Sequence, residues 1–261
     1  MTELVATALI SAAISLVASM LGLGGAVLLI PALLYLPPVF GVSPFGVATV
    51  SGMTPIIVLS TSLLSVLLHG RRGTVSRRIV LVMGVPIVFS SLAGAWFSGS
   101  VRPDFLIIVF ALMAVTGSAL LVIKKEDRPG FSENTDFRAV AAAVISVVVG
   151  FFGGMAGAPG AFILSPLMMT VLGIPTRITI GSTLGIVLMA SASTSVGKIL
   201  AGGVRFDLAV AGITGSIPGA IAGASLSHRL QTTTLRNILA VLIAIVGIAM
   251  LLRTLTGMSG G

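Results

Sequence analysis

Cysteine is absent from the 261-residue chain. That absence excludes disulfides, thiolate metal sites and cysteine nucleophiles. Charge is nearly absent as well: 8% of the residues are Asp, Glu, Lys or Arg, against about 25% in soluble domains. Aromatic anchors are few, with one Trp and one Tyr, and there are only two histidines. What fills the chain instead is apolar: 56% hydrophobic residues and 32 glycines, with a mean hydropathy of +1.17. This composition excludes a disordered chain, a coiled coil and a collagen-like fibre. It fits an all-α, polytopic transmembrane helix bundle. The apolar stretches do not alternate, which excludes an outer-membrane barrel and points to an inner membrane.

The scarcest element is negative charge. The seven acidic residues are Glu3, Asp104, Glu126, Asp127, Glu133, Asp136 and Asp207, and all lie outside the apolar runs or at their ends. Cation transporters and proton pumps rely on carboxylates inside the membrane, so the sequence points away from them. The formal charge of +8 would suggest nucleic acid in a soluble protein, but here the basic residues sit in short segments between apolar runs. They read as membrane-surface charge, and no nucleic-acid partner is expected. The chain passes from Met1-Thr2-Glu3 directly into apolar sequence. Without a basic leader segment, no cleaved signal is expected.

The apolar runs fall into two sets of four. The first set is 4–36, 47–68, 79–97 and 105–123; the second is 139–172, 178–197, 208–226 and 235–252. Six of these have the length that crosses a ~30 Å hydrocarbon core once. The first run of each set is far longer than one crossing needs, at about 50 Å as a straight helix. Each over-long run contains a glycine cluster: Gly22, Gly24 and Gly25 in one, and Gly150, Gly153, Gly154, Gly157 and Gly160 with Pro159 in the other. A proline, Pro31 or Pro166, follows six residues after the last glycine. Glycine and proline weaken a helix interior by about 1 and 3 kcal/mol, so both runs are expected to break. A scattered glycine such as Gly117 is better read as a helix–helix contact.

The same punctuation recurs in order along both halves. At an offset of 135, Met20 meets Met155, Gly22 meets Gly157, Gly25 meets Gly160 and Pro31 meets Pro166; at 129, Gly52 meets Gly181, Thr54 meets Thr183 and Ser62 meets Ser191. The expected organisation is two repeats, 1–123 and 139–261, joined by a polar cytoplasmic linker, 124–138. Each repeat holds one Gly-broken or re-entrant helix plus three spanning helices, a layout expected of secondary transporters. The arginines of 71–78 and the basic residues of 124–138 mark both segments as cytoplasmic. In the second half the charges tie, with Arg177, Arg229 and Arg236 against Lys198, Arg205 and Arg253. An inverted arrangement is favoured because residues 26–36 span only about 16 Å as a helix.

Two helix breaks inside a membrane would place unpaired backbone N–H groups around one central cavity, a setting suited to an anion. The candidate substrate-binding residues are therefore Gly22, Gly24, Gly25, Gly157, Pro159 and Gly160. Hydroxyls of the following runs join them, because they donate to oxyanions without carrying charge: Thr54 and Thr183, with Ser51 and Ser182. Their ordinary role is to bond within or between helices. His69 and Lys198 coincide in the repeat overlay. Each ends its run, where snorkelling is the usual role and attraction of an anion the functional alternative; Arg177 could act likewise. Tyr35 and Trp96 read as interfacial anchors, and His228 sits in a short loop. No catalytic residue, metal site or cofactor is expected.

The paired elements, Gly22-x-Gly24-Gly25 with Pro31 and Gly157–Gly160 with Pro166, each followed by a Thr/Ser-rich run, resemble the sulfite exporter TauE/SafE family, also called the toluene sulfonate uptake permease family. The resemblance spans residues 4–252. It implies an inner-membrane permease for sulfite, sulfonates, sulfoacetate or related sulfur oxyanions, working by alternating access. Ala26 stands where a further glycine is usual, and Ala158-Pro159 replaces a glycine-rich centre, which leaves the equivalence of the two half-sites open. A passive anion channel shares these features. An intramembrane serine hydrolase is the weaker alternative, since His69 and His228 are the only histidines that could pair with a serine. The expected partners are a small anionic substrate and the lipid bilayer, with homodimerisation left open.

Overall fold

The computed structural model describes residues 1–21, 25–69, 75–122 and 137–227, together with three helical positions at Val241, Ile245 and Ile248. Every regular element among the described residues is helical: α1 (Thr2–Leu21), α2 (Ala26–Tyr35), α3 (Val47–His69), α4 (Arg77–Phe97), α5 (Pro103–Val122), α6 (Ala139–Ala156), α7 (Ala161–Thr170), α8 (Thr176–Leu200) and α9 (Phe206–Ser227). Seven of these are long and apolar enough to cross a membrane. The other two, α2 and α7, have 10 residues each, about 15 Å, and cannot cross alone.

Each over-long apolar run is thus divided into a long and a short helix. Gly25 precedes α2 with φ 81°, and Gly160 precedes α7 with φ 63°, a left-handed backbone that residues with a Cβ rarely adopt. The end of α6 is a Schellman turn. Gly157, at φ 74°, donates its N–H to Gly154 O at 3.1 Å, and Ala158 N–H reaches Gly153 O at 2.8 Å. The bounds of α1 and α2 shifted by 135 residues fall at the end of α6 and on both ends of α7. The starts of α3 and α4 shifted by 129 give the starts of α8 and α9.

Close backbone contacts set the helix directions. Gly215, Gly219 and Gly223 lie in step against the backbone of Ala8, Ala12 and Leu16, so α1 and α9 run the same way. Gly212 against Ile57, and Ser60 Oγ 3.4 Å from Ser216 Oγ, align α3 with them. Gly150 against Ile87, with Gly94 against Phe151, aligns α6 with α4. Gly185 against Val80, with Gly197 against Leu92 and Ala95, aligns α8 with α4. The two sets oppose each other: Ser51 near the start of α3 meets Lys198 near the end of α8, while Ser62 Oγ lies 3.4 Å from Ser191 Oγ. Lipid offers no hydrophobic drive between helices, so the bundle relies on such small-residue contacts.

Burial follows from this arrangement. Every residue from Ala26 to Leu34 is buried, which makes α2 a core element although it is the most apolar segment. Leu81, Val85, Phe89, Val144 and Val148 face outward, as lipid requires. Val241, Ile245 and Ile248, spaced four and three apart, are also exposed. One end of the bundle carries Arg77, Arg78 and Arg138 flanking helix starts, with the Arg78 guanidinium 5.9 Å from the centre of the Phe137 ring. The opposite end carries Glu3, Arg102, Asp104, Arg205 and Asp207 in exposed ion pairs. Ser76 caps α4 by accepting from Ile79 N–H and passes its own N–H to Ser182 Oγ at 3.0 Å, which brings the start of α8 to the arginine end.

The tight crossings carry a testable cost. A methyl group on Gly94 would collide with the Phe151 carbonyl, a backbone group that cannot swing aside, whereas Gly41 has φ 70° and open space around it. Gly94→Ala should lower unfolding stability in detergent by about 2 kcal/mol or more, and Gly41→Ala by about 1 kcal/mol. Equal costs, or the reverse order, would contradict the packing described.

Candidate functional site

The end of α8 holds a buried cation. Lys198 is 4% exposed, and its ammonium donates to Ser51 Oγ at 2.6 Å, Ser98 Oγ at 2.7 Å and Met155 O at 2.9 Å. Four elements supply this arrangement: α8 the lysine, α3 Ser51, the turn after α4 Ser98, and the last turn of α6 the carbonyl. The carbonyl is available because a helix end leaves its last C=O groups without intrahelical partners. Snorkelling, the ordinary reading of a lysine at the end of a run, does not hold here; the side chain turns inward.

The three donors of the ammonium are satisfied, but no described residue bonded to it carries a negative charge. Among the described residues the acidic ones are Glu3, Asp104 and Asp207, each with about half its side chain exposed and each within reach of Arg102 or Arg205. Among the described residues no carboxylate bonds Lys198. Burying an ammonium without a counter-charge costs several kcal/mol. Hydroxyls and a carbonyl offset part of that cost by dipole alone, and an anion would offset more. No group of three or more potential metal ligands occurs among the described residues.

The second glycine break forms one wall. A Cβ on Gly157 would overlap both the carbonyl and the hydroxyl of Ser51, so the break lets α3 approach close enough for Ser51 to reach Lys198. Ser51 also lines a small internal cavity of about 10 Å³ with Ile30 and Leu34 of α2 and Ala156 of α6. At most about one water fits such a space. The short helix of the first half and the break of the second thus meet around Ser51.

Of the residues expected from sequence, Ser51, Gly157 and Lys198 come together. Pro159 and Gly160 are buried in the same break, and Gly160 starts α7. Thr54 does not join: its hydroxyl donates to Val50 O at 2.7 Å within its own helix. Thr183 accepts from Ser165 Oγ at 3.3 Å on α7, and Ser182 accepts from Ser76 N–H, so this pair serves the arginine end. Gly25 is buried, with Ala18 Cβ 3.5 Å from where its own Cβ would stand. Gly22 and Gly24 lie outside the described residues, as do the side chains of His69 and Arg177. Gly117 packs its helix against Phe162 and Ile163.

Two partners of Lys198 escape sequence reasoning. Ser98 sits in a Ser-Gly-Ser turn just past an apolar run, where serine is unremarkable. Met155 contributes only its carbonyl, and the signal for that is the helix break two residues later.

The family model for the sulfite exporter TauE/SafE matches residues 7–250. The chain is 25% identical over 248 residues to the probable membrane transporter protein YunE of Bacillus subtilis, covering 88% of this chain and 91% of that one. It is 24% identical to a probable membrane transporter protein of Haemophilus influenzae, covering 94% and 97%. It is 20% identical to one of Methanocaldococcus jannaschii, covering 92% of each. No solved structure matches. Seven membrane-length helices and a family match along nearly the whole chain agree: the protein belongs to the sulfite exporter TauE/SafE family and is a multi-pass membrane transporter.

Proposed function

We propose that this protein is an inner-membrane permease that moves a small sulfur oxyanion, such as sulfite, a sulfonate or sulfoacetate, by alternating access between two inverted repeats. The observation that carries the reading is Lys198, a buried ammonium bonded to Ser51, Ser98 and Met155 O, with no carboxylate partner among the described residues. It sits against the glycine break at Gly157, where a substrate can approach backbone. The substrate is held between the two breaks, near Gly25 on one side and Gly157–Gly160 on the other. The close packing around Ser51 favours a carrier, which must open to load, over a standing pore.

Helix direction supports inversion. In the first half α1 and α3 run the same way, so the intervening α2 has to carry the chain back part of the distance; α6, α7 and α8 do the same in the second half with the opposite sense. The repeated element bounds support a duplication. Arg177, in the first turn of α8, joins Arg77, Arg78 and Arg138 at one end. This supports a cytoplasmic location for that end.

Replacing Lys198 tests the site. Lys198→Met keeps the length of the side chain without the charge, so the variant should melt no lower than wild type. In proteoliposomes it should take up sulfite at about a tenth of the wild-type rate or less, one lost charged contact being worth roughly that factor. Wild-type uptake by this variant would remove Lys198 from the transport site. The cysteine-free background allows a test of inversion. Val39, Val75 and Val171 are exposed. Single cysteines at Val75 and Val171 should react with an impermeant maleimide from the cytoplasmic side, and one at Val39 from the outside. Labelling of Val39 and Val171 from the same side would mean parallel halves.

A further inference from the structure

Hydroxyls in these helices follow one habit. Thr7, Thr54, Ser60, Thr61, Ser62, Ser146, Ser191 and Ser195 each donate to a carbonyl three or four residues back. That habit is the ordinary use of a hydroxyl in lipid, where water is not available. Among the described residues two buried hydroxyls break it and have no hydrogen-bond partner, Ser11 and Thr194. Thr194 is wholly buried. The carbonyl four residues behind it, Ala190 O, instead receives Ser91 Oγ from α4 at 3.5 Å.

The position of Thr194 separates it from Ser11. It lies one helical turn before Lys198, so the two side chains share a face of α8. Ser191, one further turn back on that face, meets Ser62 across the α3–α8 seam. Ser11 instead packs at the α1–α9 contact beside Gly212. A buried, unpaired hydroxyl weakens a folded protein unless something else uses it, and an anion drawn to Lys198, one turn along the same face, would be such a user.

We propose that Thr194 contacts the transported anion. Lys198 Nζ exchanges one of its hydroxyl partners for one oxygen of the anion, and Thr194 Oγ1–H donates to a second oxygen. This assignment rests on the oxyanion reading of the Lys198 site and adds its basis for selectivity. A halide is a single centre that both donors would have to reach together, whereas an oxyanion presents a separate oxygen to each, so the pair favours an oxyanion.

The test uses purified full-length protein in detergent, with binding of sulfite, methanesulfonate and chloride followed by calorimetry and melting followed without added oxyanion. Thr194→Val removes the hydroxyl at nearly constant shape. It should melt at or above the wild-type temperature, bind both oxyanions about tenfold more weakly, and bind chloride as wild type does. Thr194→Ser should restore oxyanion binding, and Ser11→Ala should leave it unchanged. Unchanged oxyanion affinity in Thr194→Val overturns the assignment while leaving the permease reading intact. A Thr194→Val protein that melts lower or fails to fold overturns it too, since that result assigns the hydroxyl a structural partner. If the wild type binds neither oxyanion, the permease reading itself falls.

Discussion

A lysine buried at the end of a membrane helix, its nitrogen bonded to two hydroxyls and a carbonyl, is the constraint around which this molecule is arranged. Lys198 draws on α8, α3, α6 and the turn after α4 at once. Each partner has a geometric condition. Ser51 reaches the ammonium only because Gly157 has no side chain to hold α3 away. Met155 offers its carbonyl only because α6 ends one residue later. The helix break and the buried cation are therefore one feature, and the glycine cluster exists as much for close approach as for backbone freedom.

The rest of the bundle supplies the rigid frame for that feature. Two sets of aligned helices, α1 with α3 and α9, and α4 with α6 and α8, cross where glycine or serine lets backbones touch. These seams contain few ion pairs; charge is confined to the two ends, with arginines at one and small acid–base clusters at the other. Contacts of this kind specify position without strong directional bonds.

Much of this was legible in the sequence, and the physical reasons are specific. Run length and the spacing of Gly25, Pro31, Gly160 and Pro166 mark where α2 and α7 begin, because helices need backbone bonds that glycine clusters weaken. Ser51 and Lys198 are visible as a hydroxyl and a cation in otherwise apolar runs. What was not legible was their pairing, since residues 147 apart in sequence meet only after three-dimensional packing. The inward turn of Lys198 runs against local expectation: a lysine at a run end normally snorkels, and only the converging hydroxyls reverse that. Thr54 was expected at the substrate and turns to Val50 O instead, as a lone hydroxyl in a membrane helix ordinarily does. Thr194 is visible in the sequence only as one of many hydroxyls in its run; its distinction is the lack of a partner, which no pattern of residues encodes.

The most direct measurement is an experimental structure of the protein saturated with sulfite or its heavier analogue selenite. The account predicts density for one pyramidal anion with an oxygen about 3 Å from Lys198 Nζ, beside the Gly157 break and within reach of Thr194 Oγ1. Density for the anion elsewhere in the bundle, with Lys198 still bonded to Ser51, Ser98 and Met155 O, would contradict it.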